Sequence, residues 1–153
     1  NGVIRRNNEL WFYYMGLRYR SQTIAATLNH GYLDASALCM SRLRLDGFVS
    51  ASAPYSGWSE FITPPMTFAG STLELNYSTS GGGSIYIELQ DETGTPVPGF
   101  TLDDCSEVFG DLTAGDEAWK GDPDMEALAG RPAKMRVRMR DADLYAFRFR
   151  HPE

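Results

Sequence analysis

The chain has 153 residues, enough for one domain with a real core and room for an extra element, and its apolar share of 42% sets it apart from a disordered chain. A formal net charge of −6 argues against a nucleic-acid partner, because phosphate binding needs a cationic face. No apolar run approaches the roughly 20 residues that span a bilayer, so no membrane partner is expected, and no signal-peptide pattern is visible.

Val3 to Arg6 and Leu10 to Tyr14 are short strand-like runs on either side of Asn7 and Asn8. Asparagine tolerates the left-handed backbone of a tight turn, so this stretch predicts a hairpin. Gly16 to Leu33 is less regular; Ser21 is placed to cap a short helix through Leu28, with Gly31 after its end. From Ala37 the pattern changes to short alternating strands. Leu43 and Leu45 alternate with Arg42 and Arg44, then Asp46 and Gly47 turn the chain into Phe48, Val49 and Ser50. Trp58 to Ile62 is a further run, stopped by Pro64 and Pro65 because proline cannot donate to a ladder. Leu73, Leu75 and Tyr77 alternate with Glu74, Asn76 and Ser78, and Gly81, Gly82 and Gly83 read as a hairpin turn into Ile85, Ile87 and Leu89. Asp91 to Pro98 is rich in turn residues. A last pair of runs, Met135 to Met139 and Tyr145 to Phe149, reads as another hairpin joined through Asp141 and Ala142. Period-2 alternation is what half-buried antiparallel strands need. Short strands separated by turn signals therefore predict an all-β, antiparallel, jelly-roll-like β-sandwich, with a short N-terminal hairpin and one short helix.

Few residue constellations carry chemistry. Cys39 and Cys105 lack metal-ligand spacing; two free thiols are the preferred reading, with a single bridge in an oxidising compartment the alternative. Serine catalysis needs a histidine base, and only His30 and His151 are present, without a Gly-x-Ser-x-Gly elbow. Asp122, Asp124 and Glu126 alternate like calcium ligands, but Ala127 and Ala133 stand where an EF-hand needs glycine and glutamate. Calcium in a loop site, built from Asp103, Asp104 and Asp111 or from Asp141 and Asp143, is the one cofactor the acidic residues could hold. A glycosidase needs two carboxylates about 5 to 9 Å apart, and twenty acidic residues single out no pair. Arg136, Arg138, Arg140, Arg148 and Arg150 should share one outward face, with pairing to Glu74, Glu88 or the acidic middle preferred over a phosphate patch. Asn76, Tyr77 and Ser78 match a glycosylation acceptor inside a strand. Tyr55, Trp58 and Trp119 lie in turn-rich stretches. Aromatic planes stack on the C–H faces of sugar rings, so these three are the candidate ligand-binding residues, against the plainer reading that each tryptophan plugs an end of the sandwich.

Three stretches together carry a resemblance: Leu43 to Ala51, Val97 to Cys105, and Trp119-Lys-Gly followed by Leu128 to Pro132 and Asp141 to Phe149. From about Leu38 to Arg150 the chain resembles the C-terminal β-sandwich domain of bacterial β-propeller proteins of the glycosyl hydrolase type, related to glycoside hydrolase families 32 and 43. Glu9 to Arg20, with the opening Gly2 to Arg6, looks like the closing strands of a preceding propeller. The resemblance implies residues 1–36 as a propeller remnant or linker and 37–153 as the sandwich. The catalytic carboxylates of that family lie in the propeller, so no catalytic residue carries over, and Leu112 to Trp119 is less apolar than the family's strand there. The start at Asn1 reads as a processed chain or a piece of a longer one.

The expectation is a non-catalytic accessory module of a carbohydrate-active protein, packing on a propeller domain and secreted or periplasmic if that parent degrades carbohydrate. The alternatives are a free-standing carbohydrate-binding module, or a structural domain that forms a homodimer through the N-terminal hairpin.

Overall fold

The computed structural model describes residues 2–17 and 36–152, so the helix expected over Ser21 to Leu28, and His30 with it, lie outside the described residues. The chain divides into two units, Asn1–Gly47 and Phe48–Glu153.

In the first unit, β1 (Val3–Arg6), β2 (Glu9–Leu17) and β3 (Ser36–Arg44) form one antiparallel sheet in that order. Asn7 takes φ 54° in the turn between β1 and β2, as the sequence predicts. The register puts Val3 beside Phe12 and Tyr14 beside Cys39 on one face, and Ile4 beside Trp11, Tyr13 beside Met40 and Met15 beside Leu38 on the other. Both faces therefore carry apolar residues. Because Leu43 pairs with Leu10, β3 belongs to this sheet, and the whole sheet lies within the first unit. Alternation marks a strand without saying which sheet it joins.

The second unit carries β4 (Ala51–Ala53), β5 (Ser59–Ile62), β6 (Thr72–Asp91), β7 (Asp111–Glu117) and β8 (Ala133–Arg150). They form a five-stranded antiparallel sheet in the order β4-β8-β6-β7, with β5 also on β8. The protein is all-β, with one antiparallel sheet in each unit; this strand order does not itself spell a jelly roll. Among the described residues the helical content is one 3₁₀ turn, Met125–Leu128, capped by the Asp124 carboxylate on the Glu126 amide.

The two C-terminal hairpins are corrected. The runs on either side of Gly81–Gly83 do not pair with each other. Both belong to β6 and both pair with β8: Leu73 with Phe149 and Leu75 with Phe147 in one half, Ile85 with Met139 and Ile87 with Val137 in the other. The glycines form a bulge, because between the pairs Thr79–Ala142 and Ser84–Arg140 four residues of β6 oppose Asp141 alone. Asp141 answers with φ 48°, and its carboxylate accepts from the Ser80 hydroxyl. Leu73, Leu75 and Tyr77 from one half and Ile85, Ile87 and Leu89 from the other enter a single buried cluster with Met135, Val137 and Met139. The predicted inward residues are thus correct even where the connection between them is not.

Candidate ligand-binding site

On the outward face of the same ribbon, β6 and β8 bring Ser84 beside Arg140, Tyr86 beside Arg138 and Glu88 beside Arg136, while β5 sets Glu60 beside Arg138 from the other side. Trp58, the residue before β5, lies over this face. The Arg138 guanidinium carbon is 4.7 Å from the Trp58 ring centroid and that of Arg140 is 5.1 Å. The Tyr86 ring lies 5.9 Å away at a tilt of 52°. Alternation sends Arg138 and Arg140 out of one side of β8, which brings both guanidinium groups to the indole. Trp58 is 41% exposed, so part of its ring is open to solvent. The ring forms one wall of a shallow recess of about 360 Å³, shared with Tyr86, Leu102, Asp103, Lys120 and Arg138. The Lys120 ammonium is held by the Asp103 carbonyl at 2.7 Å. Burial, followed by the Glu107 carboxylate, raises the Tyr86 phenol, so it stays a neutral hydrogen-bonding group.

The cross-strand pairing expected for the arginines accounts for three of the five. Arg136 donates to Glu60 at 2.7 and 3.1 Å. Glu74 receives Arg148 at 2.7 Å and Arg150 at 3.0 Å, and Arg150 also reaches Asp116 at 2.8 Å. The hydrogen bond from Arg148 holds the Glu74 carboxyl below its usual value, against the opposing effect of burial. Arg138 has only a 3.6 Å approach to Glu60, whose other oxygen already binds Arg136. Arg140 donates to the Gly82 carbonyl at 3.2 Å and, among the described residues, has no carboxylate partner. The Nε atoms of both Arg138 and Arg140 are buried without an acceptor.

Of the residues singled out from sequence, Trp58 stands on the recess. Tyr55 is 76% exposed in the preceding turn and does not line it. Trp119 is corrected: it is 5% exposed, and its indole donates to the Ile87 carbonyl at 3.1 Å while Cys105 Sγ accepts from the Ile87 amide at 3.1 Å. Among the described residues no strand pairs with that edge of β6 at Ile87, and these two side chains satisfy its peptide groups instead. Trp119 therefore serves the core and offers no ring to a ligand.

The acidic candidates stay scattered. Asp104 accepts from the Thr101 hydroxyl at 2.7 Å, Asp143 from Ser50 at 2.7 Å, and Asp141 from Ser80. Asp103 is on the recess and Asp111 opens β7, where a strand forms despite the weakly apolar sequence. Among the described residues, no three His, Cys, Asp or Glu side chains gather as a metal site would require, so Asp103, Asp104 and Asp111 do not make the calcium cluster considered from sequence. Asn76 is 3% exposed within β6, out of reach of glycosylation in the folded chain. Cys39 and Cys105 are both free thiols. Burial, then the nearby Glu117, pushes the Cys105 thiol up, so it is neutral and no nucleophile.

Sequence reasoning did not single out Tyr86 and Lys120, and it had Arg138 and Arg140 as paired surface charges. The available signal was the outward position of Tyr86 within an alternating strand.

No family model, curated protein or solved structure matches this chain.

Proposed function

We propose that the chain is a non-catalytic carbohydrate-binding module, the accessory part of a carbohydrate-active protein, and that it meets sugar at Trp58. The observation that carries this reading is the part-exposed indole contacted by two arginine guanidinium groups, with a polar-rimmed recess beside it. A pyranose ring stacks its C–H face on such a plane while neighbouring donors and acceptors fix its hydroxyls. Among the residues lining the recess Asp103 is the single carboxylate, where glycoside hydrolysis needs two, which supports binding rather than turnover.

Isothermal titration against a panel of oligosaccharides tests this. We expect weak, saturable binding that Trp58→Ala reduces by at least about tenfold, the scale of about 1.4 kcal/mol for one stacked ring. A flat response across the panel sinks the reading.

A second observation favours a structural role for the first unit. A three-stranded sheet that exposes Val3 and Tyr14 on one face and Ile4, Met15 and Leu38 on the other needs cover on both. Packing against the sheets of a propeller in a larger protein supplies that cover, and so does a homodimer through the N-terminal hairpin. Light scattering separates them: a monomer at high concentration removes the dimer.

A further inference from the structure

We infer that the saccharide taken at Trp58 is anionic, its negative group a carboxylate or a sulfate ester. This rests on the carbohydrate reading above and goes beyond it in naming the ligand's charge. On the outward face of β8, arginines pair with carboxylates from the neighbouring strands. Arg136, Arg148 and Arg150 follow that rule, each with a carboxylate oxygen at 3.0 Å or closer. Arg140 has no carboxylate among the described residues and its neighbour Arg138 meets Glu60 only at 3.6 Å, both against the part-exposed Trp58 ring.

Two like charges two residues apart on one strand face repel each other, and the buried Nε donors beneath the indole add an unmet hydrogen-bonding demand. An anion at the mouth of the recess answers the first cost and recruits the outer guanidinium N–H groups. Planar guanidinium forks suit the paired oxygens of a carboxylate or sulfate. Lys120 adds a third cation from another wall, and Asp103 beside it is placed to accept from sugar hydroxyls. A neutral sugar would satisfy the ring and leave the arginines as they are.

The test is isothermal titration of the whole chain at low ionic strength with oligosaccharides of matched length in three arms: neutral cello- and xylo-oligosaccharides, oligogalacturonates, and chondroitin sulfate fragments. The expected result is binding about tenfold or more tighter in a charged arm than in the neutral one, weakening as salt rises. The tighter of the two charged arms identifies the anion as carboxylate or sulfate. Arg140→Gln should erase the margin between the charged and neutral arms, Arg140→Lys should retain part of it, and Trp58→Ala should abolish all three. Near-UV circular dichroism confirms that each variant keeps its fold. Equal, Trp58-dependent binding in every arm overturns the charge inference and leaves the carbohydrate reading standing. No binding in any arm overturns both. Charged-arm binding that survives Arg140→Gln and Trp58→Ala puts the ligand elsewhere and overturns the inference.

Discussion

Replacing Glu117 with glutamine should abolish a loss of stability of about 3 kcal/mol that the wild-type chain suffers between pH 4.5 and pH 8. Glu117 ends β7 in the interior, where its carboxyl accepts from the Cys105 thiol at 3.4 Å. Burial pushes this acid up to about 7 from an unfolded value of 4.5, and the hydrogen bonds from Cys105 and the Ala118 amide offset only part of that. The folded state therefore holds a proton that the unfolded chain releases. The stability linked to Glu117 is complete below pH 4.5, declines as pH rises toward 7, and is gone above it. At about 1.4 kcal/mol per pH unit of separation, the loss is on the order of 3 kcal/mol. Glu74 and Asp91 work in the opposite sense, since both are held below their usual values and give up stability as pH falls. Comparing wild type with Glu117→Gln cancels their contribution. Urea unfolding at a series of pH values should show the variant gaining on the wild type as pH rises. A difference that stays constant from pH 4 to 9 would disprove the buried-acid account.

Adding one methyl group at Gly83 should destabilise the fold by about 3 kcal/mol, whereas the same change at Gly81 or Gly82 should stay within about 0.5 kcal/mol. A Cβ at Gly83 would lie 2.2 Å from the Asp141 carbonyl oxygen and 3.0 Å from that of Arg140, both main-chain atoms of β8. Neither can swing aside as a side chain could, so the two strands must separate at their shared bend. At Gly81 and Gly82 a Cβ meets nothing within 4 Å. Thermal unfolding of the three alanine variants decides between a bulge and a hairpin, because a tight turn would make the central glycines the sensitive ones. Equal melting temperatures for all three would refute the bulge packing.

That comparison also shows where the sequence is legible. The period-2 pattern identifies Leu73, Leu75, Tyr77, Ile85, Ile87 and Leu89 as inward, and all six are buried. It cannot identify their partners. A run of glycines answers equally to a hairpin turn and to a bulge, because both need a bent, Cβ-free backbone. Only the long-range register with β8 decides between them. The same limit explains the tryptophans. Trp58 and Trp119 both lie among turn residues, but Trp119 has a hydrogen-bond partner 32 residues upstream at Ile87, which no local pattern reveals. The arginine face was readable as a face. Which of its members would find carboxylates depended on Glu60 arriving from β5 opposite Arg138 and bonding Arg136 diagonally.

The side chains that serve Ile87 have a consequence for how faithfully this edge assembles. A ladder made only of main chain can slide by two positions and recover the same bonds with the same sides facing inward. Here a shift by two would offer Asp103 or Glu107 in place of the thiol, and Glu117 or Gly121 in place of the indole. None of these reproduces the sulfur and indole that seal the strand, so the segment that covers β6 has a single alignment at which it locks.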